Sequence, residues 1–266
     1  MNRVSVAIAT FNEEKNIVDC LESVRQLADE IVVVDGSSSD QTVELARRFT
    51  DKIIIKDNPQ MFHINKNAAI DYCSGDWILQ LDADERVSAA LAAEIKKIAQ
   101  EGSVYDGFWI KRRNFFLGRW MRKTGMYPDP VIRLFKNGTG RLPEKSVHEQ
   151  IEIAGKVSAL TNDLIHLADP NFSRYLLRSN RYTTLTAREF LQQEVGTGVW
   201  PIIKYLFFLP AARFLQLYVR HKGFADGFAG LVFSFFSGLH IATAYIKYWE
   251  AKHEGGAGHI SLDEWA

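Results

Sequence analysis

The chain has 266 residues, 47% of them hydrophobic, enough to bury one sizeable core together with an accessory lobe. Lysine plus arginine and aspartate plus glutamate both total 32, a balance that excludes a general nucleic-acid binder and directs attention to local charge clusters. Cys20 and Cys73 fall in predicted helices with no metal-like spacing and read as reduced core residues, and Met1-Asn2-Arg3 enters a strand without a charged-then-apolar leader, so the cytoplasm or its membrane face is the expected compartment.

From Val4 to about Glu101 strand and helix alternate with short punctuation. Val4–Thr10 is a β-rich run, after which Ile17, Cys20, Leu21, Val24 and Leu27 recur at helical spacing. A second strand, Ile31 to Val34, ends at Asp35-Gly36-Ser37-Ser38-Ser39-Asp40 and is followed by a helix bearing Val43, Leu45, Ala46 and Phe49. Ile53 to Ile55 is a third strand, Asn65 to Cys73 a third helix closed by Ser74-Gly75, and Trp77 to Leu81 a fourth strand. This alternation predicts an α/β fold with a parallel sheet flanked by helices, and ligands beyond the carboxyl ends of its strands. Tyr105 to His166 is less regular, with short apolar segments at 107–110 and 131–135 that complete the sheet. The composition turns helical near Pro170. The expected division is 1–168 as the catalytic domain, 169–252 as a helical extension that associates with a membrane or with a second copy, and 253–266 as a flexible tail.

The polar motifs fall at the predicted strand ends. Thr10-Phe11-Asn12-Glu13-Glu14 after the first strand offers a hydroxyl, an aromatic face and an amide to a base and ribose, and also suits a helix N-cap with acids in its first turn. Asp35 stands where a carboxylate accepts hydrogen bonds from a uracil ring or ribose, with Ser37 among the small residues that leave room beside the backbone; a loop-closing Asx turn accounts for the same residues. Asp82-Ala83-Asp84 places two carboxylates beyond an apolar strand, a donor pattern suited to Mg²⁺ or Mn²⁺ carrying a substrate's phosphates, or to two solvated acids. No G-x-G-x-x-G follows the first strand, which disfavours a dinucleotide-binding dehydrogenase.

Taken together, Thr10 to Glu14, Val33-Val34-Asp35-Gly36-Ser37-Ser38-Ser39-Asp40-Gln41-Thr42, Lys66-Asn67-Ala68-Ala69 and Gly75 to Arg86 closely resemble family 2 inverting glycosyltransferases of the GT-A fold over about residues 1–150. The resemblance implies a nucleotide-sugar donor, usually UDP-linked, with Thr10, Asn12, Glu13, Asp35 and Ser37 toward the nucleoside, Lys66 and Asp82 toward the diphosphate, and Asp82 and Asp84 at the metal. Inverting transfer needs a base on the acceptor side. Where many members carry a Glu-Asp pair, this chain has His148-Glu149, resembling the variant in a subset that includes lipopolysaccharide-core glucosyltransferases acting on heptose; Glu149 is the expected base with His148 supporting it, and Glu144 and Asp129 are its rivals.

Lys111 to Lys123 carries six cations and no acids, interleaved with Phe115, Phe116 and Trp120, a pattern that fits a phosphorylated glycolipid or an anionic membrane surface. Pro201 to Tyr218 is apolar but interrupted by Lys204, Pro210 and Arg213, as an in-plane helix would be, and Gly227 to Ile246 holds no Asp, Glu, Lys or Arg. The expectation is a monotopic or oligomer-packing helical hairpin, and an enzyme moving a hexose from a UDP-sugar to lipopolysaccharide core at the cytoplasmic membrane face. The alternatives are transfer to a polyprenyl phosphate and an inactive sugar-nucleotide-binding scaffold.

Overall fold

The computed structural model describes residues 2–59, 61–144, 150–169 and 171–253. They form two compact units: residues 1–113 with 128–167, and residues 114–127 with those from 168 onward. The hairpin 114–127, which lies inside the first 168 residues of the chain, therefore belongs to the second unit.

The first unit is built on strands β1 (Val4–Thr10), β2 (Glu30–Asp35), β3 (Ile53–Ile55), β4 (Trp77–Asp82), β5 (Glu85–Val87), β6 (Gly107–Phe116), β7 (Arg119–Trp120), β8 (Asp129–Lys136), β9 (Gly140–Arg141), β10 (Glu152–Ile153), β11 (Val157–Ala159) and β12 (Leu164–Asp169), of which β7 and the ends of β6 and β12 run into the second unit. The main sheet has the order β3-β2-β1-β4-β8-β6-β12-β5. The first four strands are parallel, β8 runs antiparallel to β4 and β6 to β8, and β12 pairs antiparallel with β5. This is the expected α/β architecture with a mixed second half.

Helices α1 (Ile17–Val24), α2 (Thr42–Ala46), α3 (His63–Asp71) and α4 (Ala89–Glu101) cover both faces. Alternation along β1 decides which residue goes where. Val4, Val6 and Ile8 join a core with Ile17, Cys20, Leu21 and Val24 of α1 and Leu91, Ile95 and Ala99 of α4, whereas Ala7 faces the other way, with Ala68, Ala69 and Ile70 of α3. Ser88 caps α4 by accepting from the Leu91 N–H at 3.2 Å, and Gly102 ends it at φ +78°, a conformation that favours glycine. Gly75 lets β4 start against β1: a Cβ there would lie 2.6 Å from Ser5 Oγ and 2.9 Å from the Arg3 carbonyl oxygen. Both cysteines are free and buried, and burial pushes the Cys73 thiol up to about 12, consistent with inert core thiols.

The second unit contains the hairpin in which Phe115 pairs with Trp120, followed by α5 (Phe172–Gln192), α6 (Val199–Ile203), α7 (Leu209–Leu215) and α8 (Gly227–His253). One core gathers Phe116, Met121, Tyr175 and Ala229, and another Ala187, Tyr245, Tyr248 and Ala251. Lys247 of α8 is satisfied by α5, its Nζ donating to the Asn180 carbonyl at 2.7 Å and to the Thr183 and Thr184 hydroxyls at 2.9 and 2.8 Å. Residues 199–220 form one helical run with two π-helical turns, Lys204–Phe208 before Pro210 and Gln216–Arg220 after it. A proline in mid-helix has no N–H to donate, and the widened turn before it absorbs that break. Gly238 lets α8 cross close to it, since a Cβ there would lie 2.6 Å from the Pro210 carbonyl oxygen.

The runs 199–220 and 223–253 are each long and apolar enough to cross a membrane. Trp200, Phe207, Phe208, Phe228 and Phe235 stand exposed on them. They form the apolar C-terminal extension of the fold.

Candidate active site

Register brings three strand ends to one edge of the first unit. Thr10 of β1 lies opposite Asp35 of β2, and Ala9 lies opposite Asp82 of β4. The loops beyond β1 and β2 are laced together. The Asn12 N–H donates to Ser38 Oγ at 2.8 Å, Asn12 Oδ1 accepts from the Ser39 N–H at 2.9 Å, and the Glu13 N–H donates to Thr42 Oγ1 at 2.8 Å. Asp35 is fully buried and accepts from the N–H and the hydroxyl of Ser38 at 2.8 and 2.6 Å, so the loop-closing turn is formed. Asn12 and Ser37 hold positive φ, 53° and 63°, and Ser37 Oγ donates to the Lys56 carbonyl at 2.9 Å. Glu13 accepts from Asn16 Nδ2 at 2.7 Å. Thr10 Oγ1 is buried and has no hydrogen-bond partner among the described residues, an orphan hydroxyl at the edge where a ligand group would complete it.

The acidic turn after β4 carries the strongest electrostatics. Asp82 Oδ1 is paired with Lys66 Nζ of α3, and Asp82 Oδ2 accepts from Arg133 Nη2 of β8 at 2.6 Å. Arg133 also donates to Glu85 Oε1 at 2.8 Å and to Gln80. Glu85, fully buried, accepts from the Asp82 N–H at 3.0 Å and lies 3.6 Å from Arg112. Desolvation alone would raise the Asp82 carboxyl, but Arg133 and then Lys66 outweigh it and hold it well below the usual carboxylate range. Arg86 fixes the turn by donating to the carbonyls of Ala83 at 2.7 Å and Glu85 at 2.9 Å.

Asp84 lies on the same turn with a different partner. Its Oδ2 is 3.5 Å from His166 Nε2 on β12, while its backbone carbonyl accepts from the Leu167 N–H at 2.9 Å. Burial pushes the Asp84 carboxyl up, and the hydrogen bond and charge of His166 bring it net below its ordinary value. The carboxylate suits Mn²⁺ or Mg²⁺, and the imidazole is the softer donor of the two. Among the described residues no group of three or more His, Cys, Asp or Glu is gathered as a metal cage, so a cation here would take its remaining ligands from a diphosphate and water, as Mg²⁺ commonly does.

Residues 142–144 are tied to α3. Asn67, next to Lys66, donates to the Leu142 carbonyl at 2.9 Å and to Glu144 Oε1 at 2.7 Å, and accepts from the Leu142 N–H at 3.0 Å. His148 and Glu149 lie outside the described residues. Of their rivals, Glu144 is held by Asn67, and Asp129 accepts from Arg112 Nε and Nη2 at 2.9 and 2.7 Å.

Residues 5–156 match Glycosyl transferase family 2. The chain belongs to that family. It is a glycosyltransferase of the GT-A fold, and the match runs from β1 through β10 and includes the acidic turn. Among its relatives in the family is the lipopolysaccharide core biosynthesis glycosyltransferase LpsC of Rhizobium meliloti, 30% identical over 251 residues that cover 90% of this chain and 91% of the relative. An uncharacterised glycosyltransferase of Rickettsia typhi is 26% identical over 258 residues, covering 91% and 86%. Among solved structures, the mannosyltransferase PcManGT of Pyrobaculum calidifontis, determined with GDP-Man and Mn²⁺, has a TM-score of 0.55 at 16% identity, with 94% of this chain and 88% of that chain covered. At that identity the likeness concerns the fold.

Arg133, Glu85 and His166 escaped the sequence reading. Arg133 interrupts the apolar run Val131-Ile132-Arg133-Leu134-Phe135, and His166 interrupts Leu164-Ile165-His166-Leu167. A lone polar residue inside an apolar strand run calls for a partner, and that was the available signal.

Proposed function

We propose that this glycosyltransferase moves a hexose, glucose from UDP-glucose, with inversion onto a heptose of the lipopolysaccharide inner core. The acceptor reading is supported by the full-length likeness to a lipopolysaccharide core biosynthesis enzyme. The observation that carries the site assignment is the acidic turn, whose two aspartates face different partners: Asp82 is held by Lys66 and Arg133, and Asp84 is paired with His166.

In this reading Asp82 and Asp84, with His166 beside Asp84, would hold a divalent cation, Mg²⁺ or Mn²⁺, which would neutralise charge on the departing diphosphate. Lys66 exchanges its contact with Asp82 for the diphosphate, and Arg133 keeps Asp82 ionised and oriented toward the donor. Thr10, Asn12, Glu13, Asp35 and Ser37 stand on the nucleoside side, where Asp35 and Asn12 keep the loops in shape and the buried Thr10 hydroxyl has an unused hydrogen-bonding capacity. Glu149 takes the proton of the attacking hydroxyl, with His148 supporting it. The apolar helical extension serves at the cytoplasmic membrane face, close to a glycolipid acceptor, and offers a surface for homo-oligomerisation.

The test is incubation of the purified chain with UDP- and GDP-sugars and extracted truncated lipopolysaccharide, followed by mass spectrometry. A hexose gain on heptose-bearing core with UDP-glucose, lost in Asp84→Ala, is the expected result. No gain on any heptose-bearing core removes the acceptor assignment, and metal-independent turnover removes the metal assignment.

A further inference from the structure

The second unit contains a cavity of about 750 Å³ at which Arg119, Arg122 and Lys123 of the hairpin meet Ala225 and Asp226 of the turn before α8. Its lining carries three cations and one acid. The acid is committed elsewhere: Asp226, 2% exposed, accepts from the Arg122 N–H at 3.1 Å, the Lys123 N–H at 2.8 Å and the Thr124 hydroxyl at 3.3 Å. Its charge thus fastens the backbone that presents the cations. No ion pair joins Arg119, Arg122 or Lys123 to a carboxylate among the described residues, in contrast to Arg112, which is paired with Asp129.

The walls are set by close packing. A Cβ on Gly223 would lie 2.6 Å from Thr124 Cγ2, and one on Gly230 would lie 1.9 Å from the Gly223 carbonyl oxygen, so the turn is pressed against both hairpin and helix. The Arg122 guanidinium lies 4.4 Å from the centre of the Trp120 ring, which fixes one planar donor fork, and Arg119 Nη2 donates to the Ala225 carbonyl at 3.3 Å. A pre-set guanidinium fork matches phosphate geometry, and the start of the long helix α8 adds a favourable field for an anion. The volume exceeds what a bare phosphate fills and suits a phosphate together with the sugar or glycerol that bears it.

We propose that this cavity binds a phosphate group carried on a sugar or lipid headgroup, with Arg119, Arg122 and Lys123 as its ligands and Trp120 as the wall. Only the source of the phosphate rests on the glycolipid reading above: it is a phosphorylated core sugar of the acceptor or the headgroup of a membrane phospholipid.

The full chain in nonionic detergent, with UDP saturating the donor edge, is titrated with glycerol 3-phosphate and followed by ³¹P NMR. Saturable binding is expected, weakened at least about tenfold in Arg122→Gln/Lys123→Gln, whose UDP affinity stays at the wild-type value. Equal binding by wild type and variant overturns the proposal, as does the absence of saturable binding in the wild type. Two further arms assign the source. A rise in KM for a phosphorylated core oligosaccharide, without a change for its phosphatase-treated form, assigns the acceptor; reduced flotation with phosphatidylcholine vesicles containing phosphatidylglycerol, relative to phosphatidylcholine alone, assigns the headgroup. If neither moves, the proposal falls. If the wild type binds glycerol 3-phosphate and transfers to no core oligosaccharide, the acceptor reading fails while the pocket stands.

Discussion

Replacing Arg133 with methionine removes the cation that two acids share. Glu85 is fully buried and Arg133 itself has an 8% exposed side chain, so the pair is held away from water, whereas Asp82 is 25% exposed and keeps Lys66. Breaking one partner out of a buried pair costs about 3–5 kcal/mol, most of it the desolvated charge left behind. Here that charge is Glu85, which still accepts from the Asp82 N–H and has Arg112 at 3.6 Å, so the lower end, about 3 kcal/mol, is expected. Adding Glu85→Gln to the methionine variant removes the stranded charge but keeps an acceptor for the Asp82 N–H, and is expected to recover about 1–2 kcal/mol. Urea unfolding at neutral pH, monitored by circular dichroism, measures both changes from the shift in midpoint at constant slope. A loss below about 1 kcal/mol in the single variant, or a double variant no more stable than the single, would refute the idea that Arg133 is there to compensate Glu85.

Glu30 gives a pH prediction. Desolvation would raise its carboxyl, but Lys52 at 2.7 Å, Ser5 at 2.5 Å and Ser74 together bring it down to about 2. A depressed carboxylate contributes stability that is fully present above its ordinary value of 4.5 and is lost as pH falls through about 2. With the half-exposed lysine discounted, Glu30→Gln costs about 2 kcal/mol at pH 7 and progressively less from pH 4.5 downward; a penalty independent of pH would contradict this. His166→Ala is expected to raise the Mn²⁺ concentration that half-activates UDP-sugar hydrolysis at least about tenfold while leaving metal-free UDP affinity intact, and an unchanged metal titration sinks the ligand assignment. Glu149→Gln should abolish transfer but retain donor binding by calorimetry; full turnover in that variant removes it as base. Gly230→Ala forces a Cβ to 1.9 Å from the Gly223 carbonyl and is expected to lower stability by at least about 2 kcal/mol, read as a fall in unfolding midpoint.

The legible parts were those governed by local pattern. The β1 to β4 strands and the helices between them follow from runs such as Val4–Thr10 and from the spacing of Ile17, Cys20, Leu21, Val24 and Leu27, with ends displaced by up to three residues, as at α1, which ends at Val24 before Leu27, and at α3, which spans His63–Asp71 rather than reaching Cys73. Asp82 and Asp84 were visible because they terminate a strand. Their partners were not, because Lys66, Arg133 and His166 arrive from three separate elements and nothing local in the chain says which will meet. The same limit applies to the hairpin 114–127: its cations were apparent, but its membership of the helical unit depends on Asp226, more than a hundred residues away in sequence.

The lacing of the loops after β1 and β2 bears on how a donor is received. Ser38, Ser39 and Thr42 are clamped by Asn12, Asp35 and Glu13, so if the proposed donor binds there, little ordering entropy would remain to be spent on that wall. Under the proposed nucleoside role of this edge, discrimination among nucleobases would rest on a rigid mould rather than on closure, and a base of the wrong outline would be turned away by shape.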